Sequence, residues 1–221
     1  MSNSVDLSVS PMRAKGRPKR VNDLDRRAEI LQAAYEAFLE LGFAKTTTGI
    51  VAAKAKISKR SIYELFVGKD ELFAAVVRQH RHLVLDLPRP AGELAPLLDT
   101  LESMFRLDME PEQEREREAL LHLVVRESTL LPELSDYLYD EGVLQYREEI
   151  INWLEMEKAR GRLSFEDAAV CAGMLMDMVF GALLPRRRIK DDEGRALRKA
   201  HIRKRLGIFL RGIGAHAEVE P

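Results

Sequence analysis

The sequence predicts an all-α fold of about nine helices, with a small helix-turn-helix domain in front of a larger helical body. Three observations predict it. Leu, Ala, Glu and Arg are abundant while aromatic residues make up only 6% of the 221 residues, a mixture that favours helix. Apolar residues recur with helical spacing, and no stretch alternates in the manner of a strand or repeats internally. Breakers such as Gly42, Pro88 and Pro90 fall where the periodic stretches stop. At 46% apolar, the chain has the material for a packed core.

The elements follow in order. Residues 1–21 read as a disordered basic arm. Within it, "RAKGRPKR" (13–20) sets five cations, Arg13, Lys15, Arg17, Lys19 and Arg20, around Gly16 and Pro18. In the first helix Ile30, Ala34, Ala37, Phe38 and Leu41 share one face, and Gly42 closes it. Three short helical pieces come next. Thr47 can cap the first and Ser58 the second. Gly68 opens the third, where Asp70 and Glu71 suit the positive end of the helix dipole. The third is expected to run to about residue 86, ahead of Pro88 and Pro90.

Further helices are expected at 92–108, 112–130, 133–159, 165–184 and 194–213. Leu134, Leu138, Leu144, Ile151 and Leu154 point inward along 133–159, and "ARGRLS" ends it. The stretch "AAVCAGMLMDMVFGALL" (168–184) is apolar except for Asp177. At ~1.5 Å per residue it would reach only about 25 Å, against a hydrocarbon core of about 30 Å. It reads as a buried helix, and no membrane partner is expected.

Charge is unevenly distributed. Residues 1–82 hold 15 of the 35 Lys and Arg but 9 of the 36 Asp and Glu, leaving 20 and 27 for the rest. A net charge of −1 thus hides a basic front and an acidic rear, which points to a polyanionic partner for the front alone. The single cysteine, Cys171, excludes an internal disulfide and a cysteine-based zinc site, and fits a reducing cytoplasm. The N-terminus carries no apolar signal segment. His80 and His82 lie two apart and face different ways on a helix. With no phosphate-cradling loop, G-x-S-x-G or H-E-x-x-H, an enzyme is not expected, nor a cofactor or metal.

The segment 47–66 has the layout of a helix-turn-helix. Val51 and Ala52 point inward from a short helix, "AKIS" makes the turn, and "KRSIYELF" forms the second helix. Ala52 and Ala55 allow a close crossing, anchored by Ile57, Ile62 and Phe66. Lys59, Arg60, Ser61 and Tyr63 are left outward near the second helix's N-terminal end, the part such a helix presents to the major groove. Lys and Arg can donate to guanine, Ser serves several bases, and Tyr can reach a phosphate or a thymine methyl.

Residues 27–76 resemble the DNA-binding domain of the TetR family of bacterial transcriptional regulators. Ile30, Ala33, Ala34, Phe38, Gly42, Phe43, Thr47, Ala52, Ala55, Ser58, Tyr63, Phe66, Lys69 and Leu72 carry the resemblance, over about a quarter of the chain. It implies a two-fold dimer, DNA binding by three N-terminal helices, and a variable body for a small ligand and the dimer interface. It divides the chain into an arm (1–21), a DNA-binding domain (22–68) and a ligand-binding and dimerisation domain (69–215). It also implies that Lys59, Arg60, Ser61 and Tyr63, following Ser58, lie in the groove, with Thr47, Thr48 and Lys69 on phosphates at helix N-termini. Three residues depart from the family pattern. Lys56 takes the place of a turn glycine, Gly49 offers no base-reading side chain, and Gly68 replaces a capping Ser or Asn.

In this setting the arm has two readings. "GRP" resembles an AT-hook, with Arg17 entering a narrow A·T-rich minor groove. Alternatively, the arm is a solvated basic tail that attracts phosphates without reading sequence. In the body, Ala169, Gly173 and Gly181 permit close helix approach. The helices at 165–184 and 194–213 (Leu197, Ile202, Leu206, Phe209, Ile213) are expected to meet their copies as a four-helix bundle, the family's usual dimer interface. Candidate ligand-lining residues are Met104, Phe105, His122, Trp153, Met174 and Met178. "LLPELSDYLYDEG" with "KARGRLS" is similar to the C-terminal domain of the AefR-like subgroup. The expected function is a homodimeric, ligand-responsive regulator, a repressor on a near-palindromic operator in double-stranded DNA. The alternative is an architectural DNA-binding protein of the same fold without ligand control.

Overall fold

The computed structural model of the chain describes residues 19–90, 92–183, 189 and 191–215. Among these residues there are ten α-helices and no strand. The helices are α1 (Lys19–Lys45), α2 (Thr48–Lys54), α3 (Lys59–Tyr63), α4 (Lys69–Gln79), α5 (Leu97–Met104), α6 (Pro111–Leu130), α7 (Pro132–Asp140), α8 (Tyr146–Ala159), α9 (Ala168–Leu183) and α10 (Asp192–Gly212). A 3-10 turn, Arg81–Leu83, follows α4. The start of α1 takes in Lys19 to Val21, which the sequence assigns to the arm. Arg17 and the rest of the expected arm lie outside the described residues.

The apolar face of α1 is buried as its spacing predicts, through Ile30, Ala34, Ala37 and Phe38. Leu41 is exposed instead, because the helix breaks at the next residue, Gly42 (φ 78, ψ 169). Helix α4 buries six consecutive residues, Leu72 to Val77, since it packs against α1 on one side and α7 on another. Phe73 meets Phe38 and Phe43 edge-on, with ring centroids 5.0 and 5.2 Å away.

The expected helix at 133–159 is two helices. Gly142 adopts φ 70, and the Gly142 and Val143 amides close α7 on the carbonyls of Tyr139 and Leu138. Two other helices are shorter than their periodicity suggests. Helix α4 stops at His80, whose ring Nδ1 lies 2.8 Å from the Val76 carbonyl, and the chain tightens into the 3-10 turn. Helix α5 starts after Pro96 and is closed by Arg106, at φ 53.

Helix α9 is not buried all round. Ala168, Cys171, Ala172, Leu175, Val179 and Leu183 face the core, against α8 and α10, while Val170, Met174 and Asp177 are exposed. Helix α10 likewise buries Ile202, Leu206 and Phe209 but exposes Leu197 and Ile208. No helix of the described residues is long and apolar enough to cross a membrane.

Front and rear are joined along α1 and α6. The Tyr35 ring stacks on His80 (centroids 4.1 Å apart, 23° between planes), and the Tyr35 hydroxyl donates to the Glu116 carbonyl at 3.5 Å. Burial pushes the Tyr35 pKa up to about 12, which keeps that hydroxyl a donor. Farther along, Gly42 faces Arg126 and Glu127 of α6.

Candidate nucleic-acid interface

The helix-turn-helix is built around a tightly held corner. Thr46 is fully buried, and its hydroxyl lies 2.7 Å from the Gly42 carbonyl and 3.1 Å from that of Ala37, tying the end of α1 to the start of α2. The run of three threonines marks this corner in the sequence, and the residue that fixes it is buried Thr46, not its exposed neighbour Thr47. Thr47 caps α2, its hydroxyl accepting from the Ile50 amide at 3.2 Å. Thr48, expected on a phosphate, is buried. Its hydroxyl sits 3.1 Å from that of Tyr63, so it binds α2 to α3 and is not free at the surface.

The turn between α2 and α3 passes through Lys56 at φ 55, the left-handed conformation that a glycine would adopt without strain. The Ile57 amide then donates to the Ala52 carbonyl at 3.0 Å. Ser58 caps α3 by accepting from the Ser61 amide at 3.1 Å, and its hydroxyl is 2.9 Å from that of Ser61. Ile62 and Phe66 anchor α3 in the core.

These restraints leave Lys59, Arg60 and Tyr63 projecting from α3. The Arg60 side chain is 87% exposed, and its Nε is 3.1 Å from Glu64 in an exposed i,i+4 pair. Tyr63 is half-exposed, with the Lys59 ammonium 5.9 Å from its ring centre. Ser61 is partly covered, at the cap. Lys69 stands at the first turn of α4, but its ammonium donates to the Phe43 carbonyl at 3.0 Å and lies 4.1 Å above the Phe43 ring. Two of its three donors remain for an anion.

Two clefts among the described residues of the body bear on a ligand. One, of about 310 Å³, lies between the end of α5, the start of α6 and the segment after the 3-10 turn. Asp86, Arg89, Ser103, Arg106, Asp108, Met109 and Gln113 line it. The other, of about 170 Å³, is lined by Leu87, Pro88, Arg89, Glu149, Asn152, Trp153 and Met156. Arg89 belongs to both and is fixed by Glu93 (Nε to Oε2, 2.8 Å) and Asp86 (2.6 Å). Hydrogen bonding to Arg89 holds the Glu93 carboxyl below its usual range.

The six side chains expected to line one ligand cavity lie in different surroundings. Trp153 lines the smaller cleft, while Met104 and Phe105 are fully buried in the core, Phe105 meeting Phe180 edge-on. His122 is exposed on the outer face of α6, Met174 is exposed on α9, and Met178 is half-buried beside it. Helical spacing marks these residues as apolar or polarisable but does not say which flank of the helix turns inward. No cluster of three or more His, Cys, Asp or Glu with metal-binding geometry occurs among the described residues.

Residues 30–76 match the family model described as bacterial regulatory proteins, tetR family. Residues 100–212, half of the chain, match that of the AefR-like transcriptional repressor C-terminal domain. The chain is 22% identical over 191 residues to the HTH-type transcriptional regulator YvkB of Bacillus subtilis, covering 84% of this chain and 96% of that one. Among solved structures, it resembles Salmonella enterica GusR with a TM-score of 0.65 at 21% identity, over 85% of this chain and 96% of that one. It also resembles SmeT, solved as its triclosan complex, with a TM-score of 0.58 at 21% identity, over 85% and 89% of the two chains.

Proposed function

The chain belongs to the TetR family of bacterial regulatory proteins and is a DNA-binding transcriptional regulator, and from that premise we propose that it is a ligand-responsive repressor acting as a homodimer in the cytoplasm. The observation that carries the DNA-facing part is the projection of Lys59, Arg60 and Tyr63 from a short helix capped by Ser58. Two such helices in successive major grooves, ~34–36 Å apart, would read a near-palindromic operator. Thr47 and Lys69 would hold the phosphates on either side, and Arg17 would add a contact from the arm.

The exposed flanks of α9 and α10 support the dimer. Val170 and Met174 on one helix and Leu197 and Ile208 on the other are exposed apolar side chains that a second copy would cover. Gly181 on α9, where a Cβ would meet nothing within 4 Å, would allow a close approach. SmeT, solved with triclosan, lends support to a small-molecule effector in the body. Such an effector would lower DNA affinity only through its different affinity for the DNA-bound and free conformations.

Selection of bound sequences from a random duplex pool, with full-length protein at near-physiological salt, tests this reading. A palindromic motif with half-sites one helical turn apart is expected. Enrichment of A·T content alone would replace the operator-specific dimer by an architectural protein whose arm is the main contact.

A further inference from the structure

We propose that the larger cleft of the body is an anion site, with Arg106 as the anchor for the carboxylate of a small organic acid. As the seat of the effector it rests on the reading above; as a binding site it stands on its own geometry.

Charge pairing singles out Arg106. Of the charged residues lining the cleft, Arg89 is held by Asp86 and Glu93, and Asp108 pairs with Lys199. Arg106 has no carboxylate within ion-pair distance among the described residues, and its buried Nε has no hydrogen-bond acceptor. A partly covered guanidinium without a counter-charge is a standing demand for an anion.

The backbone is arranged to present it. Arg106 sits at φ 53, a conformation that costs a side chain-bearing residue about 1 kcal/mol or more. The fully buried Arg117 holds it there, donating from Nη1 to the carbonyls of Arg106 at 2.8 Å and Phe105 at 3.3 Å. Arg117 is a second cation beside Arg106, and its Nε and Nη2 find no hydrogen-bond acceptor. Glu114, 3.6 Å from Nη2, offsets part of that charge. Burial pushes the Arg117 pKa down only to about 10, so it remains charged at neutral pH.

The remaining lining sets the ligand class. Exposed Ser103 and Gln113 offer neutral donors at the rim, and Met109 gives apolar contact. A volume of about 310 Å³ is far more than an inorganic anion fills, and suits an acid carrying one ring or a short chain. The site also touches the frame that positions the DNA-binding helices. Gln113 and Arg117 lie on α6 on either side of Glu116, whose carbonyl and carboxylate face Tyr35 and His80.

Calorimetric titration of the full chain tests the site, with sodium benzoate as probe, benzyl alcohol as its neutral counterpart and sodium phosphate as the inorganic anion. Benzoate is expected to bind at least tenfold more tightly than either. Arg106→Asn, which keeps a residue tolerant of the left-handed conformation, should weaken benzoate at least tenfold while leaving the melting temperature within a few degrees. Asn152→Ala, on the exposed rim of the neighbouring cleft, should leave benzoate affinity unchanged. Equal binding of benzyl alcohol, undiminished binding by a folded Arg106→Asn protein, or no benzoate binding at tens of millimolar would overturn the proposal. If benzoate binds through Arg106 while affinity for the selected operator is unchanged, the site stands and its role as the effector's seat falls.

Discussion

Replacing Arg60 by alanine is the sharpest test of where the protein reads DNA. The Arg60 side chain is 87% exposed and contributes nothing to the core, so folding stability should change by less than about 0.5 kcal/mol. Its partner among the described residues is Glu64, 3.1 Å away and itself half-exposed. Giving up such a pair costs ~0.3–0.5 kcal/mol. A bidentate contact with a guanine edge contributes ~1–3 kcal/mol. The net loss is therefore about 0.5–2.5 kcal/mol per subunit and about 1–5 kcal/mol for a dimer on two half-sites, roughly fivefold to several thousandfold in Kd. Fluorescence anisotropy on the selected operator and on a scrambled duplex, at one salt concentration, would measure it. The operator should lose most of its advantage over the scrambled duplex, and selection repeated with the variant should show relaxed preference at one position per half-site. Arg60→Lys should keep the scrambled-duplex affinity while losing that preference, because the ammonium retains the charge without the planar fork. An unchanged operator Kd and an unchanged motif would refute the reasoning: α3 would not lie in the groove.

Two further substitutions test the frame that holds α3. Lys56→Gly removes a left-handed strain of ~1–2 kcal/mol at φ 55 and gives back ~0.4–1 kcal/mol in unfolded-chain entropy, so denaturant melts should show a gain of up to about 1.5 kcal/mol. A loss would mean that the Lys56 side chain contributes something its exposed position does not reveal. Lys69→Met keeps the stem and removes the ammonium that bonds the Phe43 carbonyl and covers its ring, at an expected cost of about 1–2 kcal/mol in stability. It should also weaken operator and scrambled duplex alike and lower the salt slope by about one per subunit; an unaltered slope would remove Lys69 from the phosphate contacts.

The DNA-facing third of the fold was legible because its signals are local. Thr47 and Ser58 stand one residue before α2 and α3 and accept the amide hydrogen bonds expected of caps. Ile30, Ala34 and Phe38 share a face because their spacing puts them there. The body was less legible because its decisive features are tertiary or lack a residue-type marker. Arg106 ends α5 in a conformation usually given to glycine, held by Arg117 eleven residues away. Gly142 looks like any loop glycine until its φ of 70 splits the long helical stretch. Lys69 and Thr48 are the right residue types for phosphate contacts, yet one bonds Phe43 and the other lies beside the Tyr63 hydroxyl, pairings that only the folded chain brings together.

How the rear reaches the front turns on Gly42. Helix α1 carries the helix-turn-helix at its end and lies along α6 through Tyr35, so a shift of α6 must either carry the α1–α2 corner with it or strain it. Gly42 lies against the side chains of α6. A Cβ there would stand 3.1 Å from Glu127 Oε1 and 3.2 Å from Arg126 Nη2. Its backbone, at φ 78 and ψ 169, is one that essentially only glycine adopts. Gly42→Ala therefore faces two separable penalties: ~1–3 kcal/mol from the backbone, and contact with two side chains that could move. Combining it with Arg126→Ala separates them. If melting shows the same loss in both backgrounds, the backbone dominates and the corner is rigid in its own right. If Arg126→Ala restores part of the loss, the contact with α6 sets the corner's position. In that case Arg126→Ala alone, far from the expected groove contacts, should change operator affinity, and an unchanged operator Kd would show that the corner does not depend on α6.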